Sequence, residues 1–391
     1  MKKTKRTMLQ LMMIVIFLAF ITVPFLQADF EGGAVSTIEN RYLAKFPVLF
    51  ADHQLNWQEG KLLSQIEDWI NDNVAFRKTA KLMDSYFQVH MLKTPVYDQI
   101  LFHDDAVLLW RYQTPSWVLH EKGMDEITLQ QETAVLQQVN EEMKARGIAF
   151  SMTHLMSKMQ AAPGVYLPNT LLRSAETTYN PNSKKLSDYY RDHVPGLVIT
   201  SNFDTMDALN QKEGTPGHHP GYFTGYDASH WNEHGAFLGY LEQMRAINST
   251  YPGIKTFSVD DYDIQKKDYY QSWYGKLYAE QSFDFTLKHE RKAIKDNSML
   301  ATLGLTDLFN GWQSNCYYSV PGSTAPKALI IGDSYLWMFM LDDIAESFSE
   351  TLYVNNENAG QLWRLVDTFH PDVVSYCSIM INQIPSQLNH Q

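Results

Sequence analysis

The chain has 391 residues, 45% of them hydrophobic and 13% aromatic, which is enough apolar material for one large α/β domain or two ordinary ones. Its 44 Asp and Glu against 32 Lys and Arg leave a formal charge of -12, so nucleic acid is excluded as an expected partner. There is no internal repeat and no low-complexity tract.

Lys2, Lys3, Lys5 and Arg6 precede an uncharged run from Met8 to Leu26, and a run of about twenty such residues matches the hydrocarbon thickness of a bilayer. The pattern predicts a cytoplasmic basic tail over 1–7 and a transmembrane anchor over 8–28, with the body outside the cytoplasm. A cleaved signal peptide ending near Leu26-Gln27-Ala28 is the alternative, and it leads to the same compartment. Residues 29–95 read as a connector and helical segment. Within them Glu39 to Pro47 is a short amphipathic stretch, and Lys61 to about His90 has helical apolar spacing interrupted at Asn71-Asp72-Asn73. Arg77 either orders a nearby loop or carboxylate or sits on a solvated helix face.

Residues 96–391 are expected to form the main domain. Ile100 to Leu109 reads as a small hairpin. A helix from about Leu129 to Arg146, a terminating Gly147 and a strand over Ile148–Met152 give the half-turn of a doubly wound sheet. The same grammar recurs at Ser187–His193 and Gly196–Thr200. It returns at Lys327–Ile331, Thr351–Val354, a helix over Gln361–Phe369, and Val373–Cys377. Between these, Gly214 to Gly221 is loop, and a helix runs from about Ala236 to Ile247. Tyr269, Tyr270, Trp273, Tyr274 and Tyr278 form a sugar-ring platform or belong to a core or strand face. Cys316 and Cys377 are the two cysteines, open to pairing or to being buried free thiols. His154, His218 and His219 have no carboxylate or cysteine at ligand spacing, so no metal site is expected.

The apolar strand Lys327-Ala-Leu-Ile-Ile ends in Gly332-Asp333-Ser334, just before an expected helix. A serine in such a strand-to-helix turn stands at the carboxyl edge of a parallel sheet, where its own N–H can face a developing oxyanion. The plainer reading is ordinary turn and cap chemistry, with Asp333 as the cap. Asp227-x-x-His230 has the spacing that lets a carboxylate orient an imidazole toward a serine; the plainer reading there is a structural histidine at a helix start.

Gly332-Asp-Ser334 with Asp227-x-x-His230 resembles the SGNH/GDSL hydrolase superfamily. The order of the motifs is similar to the AlgJ/AlgX-like branch concerned with alginate O-acetylation. Glu39-Asn-Arg-Tyr-Leu-Ala-Lys-Phe-Pro47, Asn73 to Arg77, Ser157-Lys158, Val165 to Pro168 and Asp227-Ala-Ser-His-Trp-Asn-x-x-Gly235 carry the likeness along the chain. Two residues separate Asp227 from His230 where that branch has one, and Ser157 or Met156 stands where it has a proline. The resemblance implies an SGNH-hydrolase-like, flavodoxin-like parallel sheet with helices on both faces, preceded by one transmembrane helix. It further implies Ser334 as nucleophile, His230 as base, Asp227 as the orienting acid, and neither cofactor nor metal. The implied partners are a polysaccharide acceptor, an acetyl donor relayed by a membrane-bound O-acyltransferase, and the membrane itself. An esterase or deacetylase using the same three residues, and a non-catalytic glycan-binding or scaffold protein, are the alternatives.

Overall fold

The computed structural model describes residues 2–36, 41–51, 54–55, 61–92, 100–103, 106–109, 126–157, 179–206, 223, 230–273, 276–309, 315–379 and 388. Two compact units divide the chain, Met1–Val96 with Ser272–Leu277, and Tyr97–Gln271 with Tyr278–Gln391.

The first unit contains α1 (Lys2–Leu26), α2 (Lys61–Asn73) and α3 (Arg77–Tyr86), the last running into a π-helical turn over Phe87–Leu92. Four two-residue strands pair as β1 (Val35–Ser36) with β2 (Arg41–Tyr42) and β3 (Phe50–Ala51) with β4 (Gln54–Leu55). Its centre is Trp69, buried against Phe25, Phe30 and Phe46 at ring separations of 6.0, 5.0 and 4.8 Å. Asn73 and Asp72 then clasp the connector, since Asp72 accepts from the Ala44 N–H at 2.8 Å and Asn73 donates to the Ala44 carbonyl at 2.7 Å. Arg77 pairs with Asp72 at 3.2 Å, its side chain 13% exposed. It therefore orders a carboxylate and is not a solvated helix face. The helical interruption falls at Val74 to Phe76, just after the Asn-Asp-Asn stretch, with Phe76 left-handed at φ 66°.

Among the described residues no helix is long and apolar enough to cross a membrane. In α1 the side chains at 2–7, 9 and 21 lie outside those residues, and the apolar side chains from Leu11 to Phe20 are exposed.

The second unit opens with the expected hairpin, β5 (Ile100–His103) with β6 (Ala106–Leu109). Its body is built from α4 (Glu126–Ala145), β7 (Ala149–Leu155), α5 (Tyr179–His193), β8 (Val198–Ser201) and α6 (Glu233–Thr250), then β9 (Tyr262–Trp273) and β10 (Lys276–Leu287) except for Ser272–Leu277, which count with the first unit, and then β11 (Ile294–Lys295) and α7 (Met299–Thr302). It closes with β12 (Cys316–Ser319), β13 (Lys327–Gly332), α8 (Ser334–Trp337), α9 (Leu341–Ala345), β14 (Glu350–Asn355), α10 (Leu362–Phe369) and β15 (Val373–Ile379). Gly147 and Gly196 end α4 and the turn after α5 at φ 72° and 76°, a conformation that favours glycine.

Seven strands form one sheet in the order β11-β12-β14-β13-β15-β7-β8. The five from β14 to β8 are parallel, while β12 runs antiparallel to β14, and β11 antiparallel to β12. Strand residues alternate between faces. Ser375, opposite Ser151, meets Gln243 of α6 at 3.1 Å, while His154, three residues along from Ser151, meets Ser187 of α5 at 2.5 Å. Helices thus cover both faces, which is why Ala328–Ile331 of β13 reads as an unbroken apolar run. The α/β, parallel-dominated architecture expected from the sequence is what is observed.

Cys316 and Cys377 are free, buried thiols, on strands that β14 and β13 separate. Burial pushes the Cys316 thiol up to about 11. The aromatic segment proves to be the β9–β10 hairpin, rooted on α6 by the Phe285 N–H donating to Glu233 at 2.6 Å. Its aromatic side chains at 269, 270, 273 and 278, and residue 274, lie outside the described residues, as do His218 and His219.

Candidate active site

The site grows from the carboxyl end of β13. Gly332 lies opposite Asn355 on β14 and Cys377 on β15, so the chain leaves the sheet between two neighbours. Its φ is not left-handed. What forbids a side chain is room: a Cβ would stand 2.7 Å from the Cys377 carbonyl oxygen and 2.9 Å from Leu336 Cδ2. The glycine therefore lets the turn press against β15.

Asp333, 4% exposed, fixes that turn in two directions. One carboxylate oxygen accepts from the Tyr335 N–H at 3.0 Å and caps α8; the other accepts from the Ile379 N–H at 2.9 Å, across on β15. It is the cap anticipated from sequence and, in addition, a cross-strand tie. Tyr353 on β14 adds a third hold, its hydroxyl shared between the Gly332 and Asp333 carbonyls at 3.0 and 3.1 Å. Burial raises that phenol well above its ordinary range, so it stays a neutral donor.

These ties place Ser334 as the first residue of α8, half-buried, with its Oγ 2.8 Å from His230 Nε2. Among the described residues the Ser334 N–H has no hydrogen-bond acceptor, leaving it available to a ligand oxygen. His230 comes from the segment ahead of α6, where Asn232 caps the helix by accepting from the Gly235 N–H at 3.0 Å. Its ring lies 5.3 Å from Tyr335 and 6.4 Å from Phe339, an aromatic wall beside the Nε2–Oγ contact. An imidazole nitrogen at that distance can take the hydroxyl proton as the oxygen attacks a carbonyl. Ser334 and His230 are thus brought together as expected. Asp227 lies outside the described residues.

Two contributors were not anticipated. Trp231, 1% exposed, donates from its indole Nε1 to the Tyr335 carbonyl at 3.0 Å, 104 residues away in the chain, and so ties the histidine segment to the serine helix. Gly239 makes room for it, because a Cβ there would overlap the six-membered ring of Trp231. A glycine inside an α-helix costs about 1 kcal/mol relative to alanine, so Gly239 is a local trace of the packing of Trp231 but not of its hydrogen-bond partner. The motifs at 39–47 and 73–77 do structural work inside the first unit, as the Ala44–Asp72–Asn73–Arg77 clasp.

His154, isolated in sequence, is fully buried; desolvation first, with nearby Arg191 adding, pushes it down to about 3, so it is neutral. No group of three or more potential metal ligands occurs among the described residues.

Comparison with family models and with curated proteins gives no match. Among solved structures, the chain is similar to PatB1 of Bacillus cereus at 17% identity and a TM-score of 0.52, over 75% of this chain and 99% of that one. More distant similarities include a DHHW family protein of Eubacterium siraeum at 11% identity, over 75% and 96%, with a TM-score of 0.46. The O-acetyltransferase domain of Pseudomonas putida AlgJ is similar at 11% identity, over 75% and 93%, with a TM-score of 0.41. The likeness to PatB1 is one of fold.

Proposed function

We propose that the protein is an O-acetyltransferase that works through an acyl-enzyme on Ser334. The observation that carries this reading is the 2.8 Å contact between His230 Nε2 and Ser334 Oγ at the carboxyl edge of a parallel sheet. The motif likeness to the AlgJ/AlgX-like branch supports acetyl transfer in particular.

In the proposed reaction Ser334 Oγ attacks the acetyl carbonyl carbon while its proton passes to His230 Nε2. The Ser334 N–H donates to the developing oxyanion. Collapse expels the donor's oxygen, which takes the proton from His230, and leaves acetyl-Ser334. An acceptor hydroxyl then gives its proton to His230 and attacks the acetyl carbon, and Ser334 recovers its proton as the acetyl ester departs on the acceptor. The motif likeness assigns to Asp227 the role of orienting His230 through Nδ1, which would hold the tautomer that this sequence needs. The acceptor is a cell-surface or exported polysaccharide, and the acetyl group comes from a membrane-bound O-acyltransferase. Residues 8–28 anchor the protein with its body outside the cytoplasm, which the uncharged run Met8–Leu26 behind Lys2, Lys3, Lys5 and Arg6 supports.

The test is a chromogenic acetyl ester supplied with and without glycan acceptors, to the parent protein and to Ser334→Ala. Acetylated glycan is expected from the parent, and a rate lower by about a thousandfold or more from the variant. Transfer that persists in Ser334→Ala removes the serine from the mechanism. Acetate release that no glycan diverts makes the protein an esterase.

A further inference from the structure

A surface helix normally turns its apolar side chains inward and its charges outward. In α3 and the π-helical turn after it a row of large apolar side chains stands outward instead. Facing outward are Phe76 at 61% exposure, Ala80, Met83 at 69%, Phe87 at 51% and Met91 at 68%, spaced three or four residues apart. The partly covered positions include Arg77 and Lys81, and Arg77 meets the buried Asp72 there. An exposed apolar stripe of this length marks an interaction surface.

Three features identify what covers it. The first is charge, since residues 77–93 carry Arg77, Lys78, Lys81 and Lys93 against Asp84 alone, in a chain of net charge -12. A basic segment with an apolar stripe is the chemistry of a helix lying on an anionic lipid surface. The second is a groove of about 760 Å³ between α1 and α3, walled by Phe20, Val23 and Pro24 on one side and Phe76, Ala80 and Met83 on the other. The third is depth. The Ala75 N–H donates to the Pro24 carbonyl at 3.0 Å, and Phe25 stands edge-on to Trp69, so the stripe begins where the uncharged run of α1 ends.

We propose that α3 with the turn Phe87–Leu92 is a membrane-interface helix that rests on an anionic bilayer beside α1, with lipid acyl chains filling the groove. This rests on the anchored reading above. Two points of attachment then fix the rotation of the first unit about α1.

The experiment uses the full-length protein in phosphatidylglycerol and phosphatidylcholine vesicles, with single added cysteines at Met83 or Met91 carrying an environment-sensitive fluorophore. Phe17→Cys in α1 and Asp68→Cys, exposed on α2, serve as references. The parent, whose two thiols are buried, sets the background, and circular dichroism identical to the parent qualifies each variant. Interfacial helices lie about 5–10 Å into the headgroup and acyl boundary, so lipids spin-labelled at a shallow acyl carbon should quench Met83 and Met91 about threefold more than Asp68. That quenching should weaken when phosphatidylglycerol is withdrawn and in Lys78→Glu. Quenching at Met83 and Met91 no greater than at Asp68, while a deep spin label quenches Phe17, overturns the proposal and leaves the anchor standing. Absence of quenching at Phe17 as well removes the anchor and the proposal together. Protection of Met83 and Met91 that appears only with a membrane acyltransferase makes the occupant a protein and also overturns it.

Discussion

Ser334 and His230 meet across 2.8 Å, yet the two sides of that contact are held by different means. The serine side belongs to the sheet. Gly332 presses on β15, Asp333 caps α8 and ties to Ile379, and Tyr353 holds both carbonyls from β14. The histidine side stands ahead of α6 and meets the serine helix through side chains, by the indole hydrogen bond from Trp231 and by ring contacts of His230 and Trp231 with Tyr335. The difference teaches that damage on the serine side should appear first as lost folding stability, whereas damage on the histidine side should appear first as lost turnover.

Asp333→Ala tests the serine side hardest. It removes a helix cap, worth about 0.5–2 kcal/mol, and leaves the buried Ile379 N–H without its acceptor, worth about 1–3 kcal/mol. A loss of about 2–4 kcal/mol in chemical denaturation is expected. A loss below 1 kcal/mol would mean that the cross-strand tie is replaceable. Gly332→Ala comes next. Its added methyl meets a backbone carbonyl that cannot step aside, and overpacking of this kind costs about 1–3 kcal/mol. If Gly332→Ala folds with unchanged stability and loses only activity, the division between the two sides is wrong.

The same contrast governs what could be read in advance. Ala328 to Ile331 was legible as a buried strand because parallel strands covered on both faces are apolar without alternation. Gly147 and Gly196 were legible because left-handed backbone there favours glycine. β12, Cys-Tyr-Tyr-Ser, was missed: a short antiparallel edge strand has no distinctive pattern. β9 was missed because Lys266, Lys267 and Asp268 break its apolar run, and the hairpin is rooted by a contact between Phe285 and Glu233, 52 residues apart. In the site, Ser334 and Asp333 could be read from their immediate neighbours, and His230 from its motif. The Trp231–Tyr335 tie could not be read, since nothing local specifies a partner 104 residues away.

Trp231→Phe separates geometry from folding. The aromatic body keeps most of its packing against Tyr335, now 5.0 Å away, and over Gly239, while the indole donor to the Tyr335 carbonyl is lost. Losing one buried hydrogen bond costs about 1 kcal/mol, so the protein should remain folded at 25 °C. Catalysis is less forgiving, because a displacement of about 1 Å between reacting groups can lower a rate about a hundredfold. The expected result is a kcat for acetyl-ester turnover reduced about ten- to a hundredfold with KM little changed, since the lost hydrogen bond joins two segments of the protein. A merely structural tryptophan would lower the melting temperature and leave kcat alone. If that is what is measured, His230 is positioned from its own loop, and the histidine side is as self-sufficient as the serine side.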